Sequence, residues 1–151
     1  MPKKSFSFKF ATFNDMVSAL ELIFSPSAAS VIVFTAAVKC GAQSYSRMKN
    51  EFGTKEEALR RLSELKRKEN WGKINFRDVD FANGSGRIIV ADALETIARK
   101  VEEGREAGQP CCDFLRGFLT GFLSELFEKS MTVSEEKCAG NGDKHCEFIF
   151  R

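Results

Sequence analysis

Residues 110–150 read PCCDFLRGFLTGFLSELFEKSMTVSEEKCAGNGDKHCEFIF, and the reading of the chain turns on this stretch. After Pro110, apolar residues recur three and four apart at Phe114, Leu115, Phe118, Leu119, Phe122, Leu123, Leu126 and Phe127, which is the period of a helix. They cover far more than one stripe, so the helix is predicted to be buried around most of its circumference. Gly117 and Gly121, one turn apart, would let a second backbone approach closely; in a chain without a membrane span such a pair marks packing. Met131 to Lys137 then reads as a strand, Gly140-Asn141-Gly142-Asp143 as a turn, and Glu147 to Phe150 as the returning strand of a terminal hairpin.

Upstream, Ser5 to Phe10 alternates, with Phe6, Phe8 and Phe10 on one face, and predicts a half-buried strand. Asn14 or Asp15 is the expected cap of a short helix carrying Met16, Leu20 and Ile23. Beyond the break at Ser25-Pro26-Ser27, Val31, Phe34, Val38, Tyr45, Met48 and Phe52 follow at helical spacing, although Val31-Ile32-Val33 locally favours a strand. Gly53 is the expected residue just past that helix. Thr54 with Glu57 makes a capping box for a helix with the stripe Ala58, Leu59, Leu62 and Leu65. From Trp71 the pattern is strand: Ile74 and Phe76, a phase slip near Asp78 that suggests a bulge, then Val79 and Phe81. Asn83 to Gly86 is a hairpin turn into Arg87 to Ala91. Asp92 is the expected cap of a helix through Leu94, Ile97 and Val101, which ends in a loop over Gly104 to Pro110. Helices and antiparallel strands in mixed order predict an α+β fold, a single domain over residues 1–151, with an antiparallel sheet packed against helices.

At 151 residues the chain can bury one genuine core. Fifteen Phe stand against one Tyr and one Trp, which suits an apolar core or an apolar pocket equally. A net charge of +2 points to no particular partner. The densest basic cluster, Arg60, Arg61, Lys66, Arg67 and Lys68, is interleaved with Glu57, Glu64 and Glu69 and reads as a solvated helix face, so no direct nucleic-acid binding is expected. The longest apolar run, Val31 to Val38, is too short to span a membrane. MPKKSFSFKF has no apolar segment after its lysines and is not a secretory signal, so a cytoplasmic location is expected. There, clustered thiols stay reduced and are more often metal ligands than disulfides.

Five cysteines are present, at positions 40, 111, 112, 138 and 146. Cys138 and Cys146 bracket the Gly-rich turn of the hairpin, Glu135 lies three residues before Cys138, and Cys112 opens the buried helix, whose N-terminus favours a thiolate. Zinc accepts such thiolate and carboxylate ligands, and four protein ligands with no open position make a structural site. By spacing alone, however, C-x7-C is no standard finger, and buried thiols are the simpler reading. His145 would compete as a ligand but is expected on the face of the strand opposite Cys146. Glu136 and Asp143 read as solvated, and Cys40 as a small buried residue.

The whole motif of residues 110–150 resembles the C-terminal signature of the 4-vinyl reductase domain family. The shared features are Pro-Cys, a helix with two glycines four apart, a strand ending Glu-x-x-Cys, a Gly-containing turn, and a Cys followed by aromatic and aliphatic residues. In the family's phenol-sensing transcription activators the matching residues hold one zinc beside an apolar ligand pocket. The resemblance therefore implies a zinc-braced hairpin with Cys112, Glu135, Cys138 and Cys146 as ligands. Counting five residues back from Gly117 selects Cys112, with Cys111 as a neighbour or a substitute. Those sensors also use a His and a Trp to hold the phenol hydroxyl. No histidine precedes the signature here, and Trp71 lies outside it, so Trp71 is expected to pack at a helix–strand junction.

Three functions follow. The first is a sensor-like domain that binds a small apolar molecule, with structural zinc; as the sequence shows no ATPase or DNA-binding segment, it would work through a separate effector protein. The second is a reductase of tetrapyrrole metabolism, implied by the family name; neither a GxGxxG loop nor a spare His supports it, so no catalytic residue is assigned. The third is a homodimerising scaffold, because the family fold resembles a subunit of vesicle-tethering complexes.

Overall fold

A computed structural model describes residues 9–99 and 111–151. Its elements are α1 (Phe10–Ile23), α2 (Pro26–Met48), α3 (Lys55–Lys68), β1 (Lys73–Asp80), β2 (Ser85–Ala91), α4 (Leu94–Arg99), α5 (Asp113–Phe127), β3 (Val133–Lys137) and β4 (Cys146–Phe150), with a 3-10 turn over Ala139–Asn141 between the last two. The strands form one antiparallel sheet in the order β1-β2-β4-β3. The α+β architecture expected from the sequence is the one found. Among the described residues, no helix is long and apolar enough to cross a membrane.

The register decides which side chains meet the helices. Ile74 pairs with Val90 and Val90 with Cys146; Phe76 pairs with Ile88, Ile88 with Phe148 and Phe148 with Glu135. Cross-strand partners share a face, so these residues line one side of the sheet, and Ile74, Ile88, Val90, Cys146 and Phe148 are buried there. Because side chains alternate, Phe148 and Phe150 project to the same side as Cys146, and Glu135 to the same side as Val133. The hairpin thus aims one thiol and one carboxylate into the core. A bulge interrupts β1, where the register shifts between Arg77 and Asp80 and Asp78 takes a φ of 49°, as the phase slip predicted.

Helix α5 is buried on most sides, as its apolar surplus requires. It crosses α2 through glycine. A Cβ placed on Gly117 would overlap the Phe34 carbonyl, one on Gly121 the Val38 carbonyl, and one on Gly41 the Phe118 carbonyl. Three bare Cα positions therefore let two helix backbones touch.

The amino-terminal region departs from expectation. The predicted strand lies largely outside the described residues, and its last residue, Phe10, opens α1 instead. That helix starts upstream of Asn14 and Asp15, so neither caps it, and its expected core residues Met16 and Ile23 are exposed. Helix α2 starts where Ser25 accepts a hydrogen bond from the Ala28 amide and Pro26 fixes the first turn. Its core face is Ala29, Val33, Ala37, Gly41 and Met48, rotated away from the predicted stripe, and Val31 is exposed. The helix ends at Met48, so Gly53 is not its terminator. Gly53 donates its amide to Glu57 while the Thr54 hydroxyl accepts the Glu57 amide, which makes the expected box over α3. Ser85 and Gly86 already belong to β2, one step earlier than predicted. Asp92 does not cap α4; it adopts a φ of 56° and its carboxylate meets Lys73 at 3.2 Å. Val101 and the Gly104 to Pro110 loop lie outside the described residues. The solvated basic face holds for Arg60, paired with Glu64, but not for Lys66. The Lys66 amine is buried over the Trp71 and Phe118 rings and donates to Glu69 at 2.7 Å. Burial pushes its pKa down despite that carboxylate. Trp71 packs at the α3–β1 junction as expected, against Phe114 and Phe118.

Candidate metal centre

The sequence leaves the first turn of α5 without an ordinary cap. Its N-cap residue is Cys112, which makes no side-chain capping bond, so the amides of the first turn need acceptors from elsewhere. Two buried or half-buried carboxylates supply them. Glu95 of α4 accepts from the Phe114 and Leu115 amides at 2.8 and 2.9 Å. Glu135 of β3 accepts from the Cys111 and Cys112 amides through Oε2 at 3.0 and 3.2 Å. Both also sit in the favourable field of the helix N-terminus.

Around Glu135 four sulfurs gather. Cys112 and Cys146 lie 3.6 Å apart, Cys111 and Cys112 4.0 Å apart, and Cys111 is joined to Cys138 in a disulfide. Cys111, Cys112, Glu135 and Cys138 each offer a donor atom within 4.8 Å of the others. Cys112 and Cys146 are fully buried and share a hydrogen bond that splits their acidities. Cys146 is pulled down by the Cys112 thiol and by the Ala139 amide at 3.4 Å, whereas Cys112 is pushed up by the same bond and by burial. The thiolate of the pair therefore resides on Cys146. Burial also raises the Glu135 carboxyl, against the pull of its two amides.

The donor set fits a thiolate-binding cation. Two ligands of a tetrahedral zinc with bonds of about 2.3 Å stand about 3.8 Å apart, a value between the Cys112–Cys146 and Cys111–Cys112 separations. Glu135 Oε1 is buried and has no hydrogen-bond partner among the described residues. An orphan carboxylate oxygen beside converging sulfurs is the chemistry of a ligand, since a buried oxygen with no partner is costly. The structure thus brings Cys112, Glu135 and Cys146 of the predicted set together as available donors. It also brings in Cys138, there bonded to Cys111.

Residues 94–151 match the 4-vinyl reductase domain family. The family expected from the motif is the family found. The fold is similar over 98% of this chain to the phenol-responsive sensory domain of the transcription activator PoxR, solved with phenol, at a TM-score of 0.86 and 19% identity, covering 76% of that chain. It is also similar to a vinyl-4-reductase family protein of Methanocaldococcus jannaschii, with a TM-score of 0.58 and 16% identity over 98% of both chains. An uncharacterized protein of the same organism is 39% identical over 46 residues, which are 30% of this chain and 29% of that one. The matched stretch thus spans under a third of that relative's length.

The remaining candidates lie around this cluster or away from it. His145 stands apart from the sulfurs and faces Glu147 at 3.7 Å. Glu136 is exposed. Asp143 is exposed too, yet it accepts the Cys138 amide at 2.9 Å and so shapes the turn between the two cysteines. Cys40 is exposed, not buried, because the α2 face that turns inward is built from its smaller neighbours. Sequence reasoning missed Glu95 and the role of Asp143. An Asp closing a Gly-Asn-Gly turn carries a local signal; Glu95 carries none, since its partners lie about twenty positions away.

Proposed function

We propose that this chain, as one domain over residues 1–151, binds a small apolar molecule and is braced by a structural zinc held by Cys112, Glu135, Cys138 and Cys146. The observation that carries the ligand reading is the likeness of nearly the whole chain to a sensory domain solved with phenol. The interior offers suitable surroundings: Phe13 of α1, Phe114 and Phe118 of α5 and Trp71 form a run of edge-to-face ring contacts between helices and sheet. The zinc reading rests on the donor set and on the orphan oxygen of Glu135. When bound, zinc would tie the hairpin to the start of α5 with strong ligand bonds. Glu135 would then serve twice, holding two amides with Oε2 and the metal with Oε1.

Output would pass to a separate effector protein. A homodimer would use the apolar side chains left in solvent by Met16, Leu22, Ile23, Phe24, Val31 and Ile32. A cytoplasmic setting would keep the cluster reduced.

The test combines metal analysis with thermal unfolding of reduced protein. Wild type should carry about one zinc per chain and Cys138→Ser little. Phenol and larger apolar probes should raise stability, by about 2.7 kcal/mol at a hundredfold excess over Kd. A zinc-loaded, folded protein that no apolar probe stabilises would overturn the ligand reading. Reduced wild type without zinc would overturn the brace.

A further inference from the structure

We propose that Cys111 makes the metal centre redox-gated: oxidation joins it to Cys138 and so withdraws one ligand. This rests on the four-ligand zinc site proposed above, to which Cys111 does not belong. Four observations carry it. Cys111 is buried, with its sulfur turned into the cluster and bonded to that of Cys138. The two Cα atoms are 6.7 Å apart, within reach of a bridge without backbone rearrangement. The backbone that carries Cys111 is held by the same carboxylate that faces the metal, through the 3.0 Å bond from its amide to Glu135. Residue 140 is glycine, and a Cβ there would lie 2.7 Å from the Cys111 sulfur and 3.4 Å from that of Cys138. Its missing side chain makes the space in which these two sulfurs meet.

Ligation and pairing exclude each other, because a disulfide sulfur has no thiolate to give. The chemistry balances with a peroxide as oxidant. The Cys138 thiolate attacks one peroxide oxygen, the O–O bond breaks, and a sulfenic acid and hydroxide form. The Cys111 thiol then attacks the sulfenyl sulfur. An S–S bond forms, the S–O bond breaks, and the departing hydroxyl leaves as water with the Cys111 proton. The two electrons lost by the sulfurs reduce the peroxide. Cys112, Cys146 and Glu135 remain, three donors where four held the metal, and zinc leaves. A small thiol returns the pair to the reduced state by exchange.

The test uses the full chain, reduced and zinc-loaded, as wild type and as Cys111→Ser. Hydrogen peroxide is added, released zinc is followed with a chromogenic chelator, and disulfides are mapped by mass spectrometry after alkylation. Both proteins should start with one zinc per chain. Wild type should release it as the Cys111–Cys138 cross-link appears, and dithiothreitol should allow reloading. Cys111→Ser should release it about tenfold more slowly, having lost the resolving thiol. Equal release rates, or a Cys112–Cys146 cross-link accompanying release in both, would overturn the gate. So would a folded Cys111→Ser protein that fails to load zinc, since Cys111 would then be a ligand. Reduced wild type that binds no zinc overturns the underlying metal site before any oxidant is added, and the gate with it.

Discussion

Helix α5 is held at two places by two different kinds of force. Its middle is held by contact: Gly117 and Gly121 rest on the carbonyls of Phe34 and Val38, with Gly41 answering from α2. Its first turn is held by polar groups, where Glu95 and Glu135 take four amides and the sulfurs crowd beside them. The glycine crossing is sensitive to volume and indifferent to solution conditions. The first turn responds to protons, metals and oxidants. Fold and response are thus kept apart along one helix, about two turns from each other.

The most severe way to break this comparison is Gly121→Ala. Its methyl would overlap the Val38 carbonyl, and backbone has little freedom to yield, so a loss of about 3 kcal/mol, the upper end for overpacking, is expected in chemical denaturation. A loss under about 1 kcal/mol would show that the helices separate easily and that the crossing is not the rigid partner in the comparison. Glu95→Gln tests the other anchor. It keeps the shape and removes the charge, so two buried amides face a weaker acceptor and about 1–2 kcal/mol should be lost. The effect should be largely independent of salt, because the group is buried.

Thr54→Ala offers a calibrant: an ordinary capping box far from the cluster should cost about 1 kcal/mol. If Glu95→Gln cost no more than this, the first turn of α5 would be an unremarkable cap. A gentler probe is pH. Arg87, followed by Lys137, holds the Glu147 carboxyl below the ordinary carboxylate range on the sheet face opposite the sulfurs. Its folded pKa lies below its unfolded one, so the stability it contributes is complete above the unfolded pKa and is lost as pH falls through the folded value. Glu147→Gln should flatten that acidic limb of a stability–pH curve. The smallest effect belongs to Arg60→Ala, whose exposed pair with Glu64 should change stability by less than about 0.5 kcal/mol.

How much of this was legible in advance follows the range of the forces. Helix α5 was legible because its apolar residues outnumber any single stripe, and a surplus of that kind has only one physical meaning. The sheet and its bulge were legible because period-two patterns and turn residues act between neighbours. Helix α2 was recognised, but its inward face was not. The pattern selected Val31 and its large neighbours, whereas the crossing with α5 favours small residues, and Ala29, Ala37 and Gly41 look inward. In α1, Met16 and Ile23 face solvent, so their spacing says nothing about the core. Within the candidate site, Cys112, Glu135, Cys138 and Cys146 were legible through the family motif. The convergence of Cys111 on Cys138 and the capping by Glu95 depend on residues far apart in the chain, and no local pattern announces them.

The strand order has a consequence for how the molecule comes into being. Strand β4 lies inside the sheet, between β2 and β3, yet it is the last of the four to be synthesised. When the β1–β2 hairpin has left the ribosome, the edge of β2 that will receive Gly86–Phe150 and Ile88–Phe148 pairing stays open while more than fifty further residues are made. An open edge of this kind is where non-native pairing begins, and long-range pairing closes slowly. The nascent chain is therefore most exposed to misassembly in the interval between its second strand and its fourth, and a chaperone that shields β2 during that interval would raise the yield of folded protein.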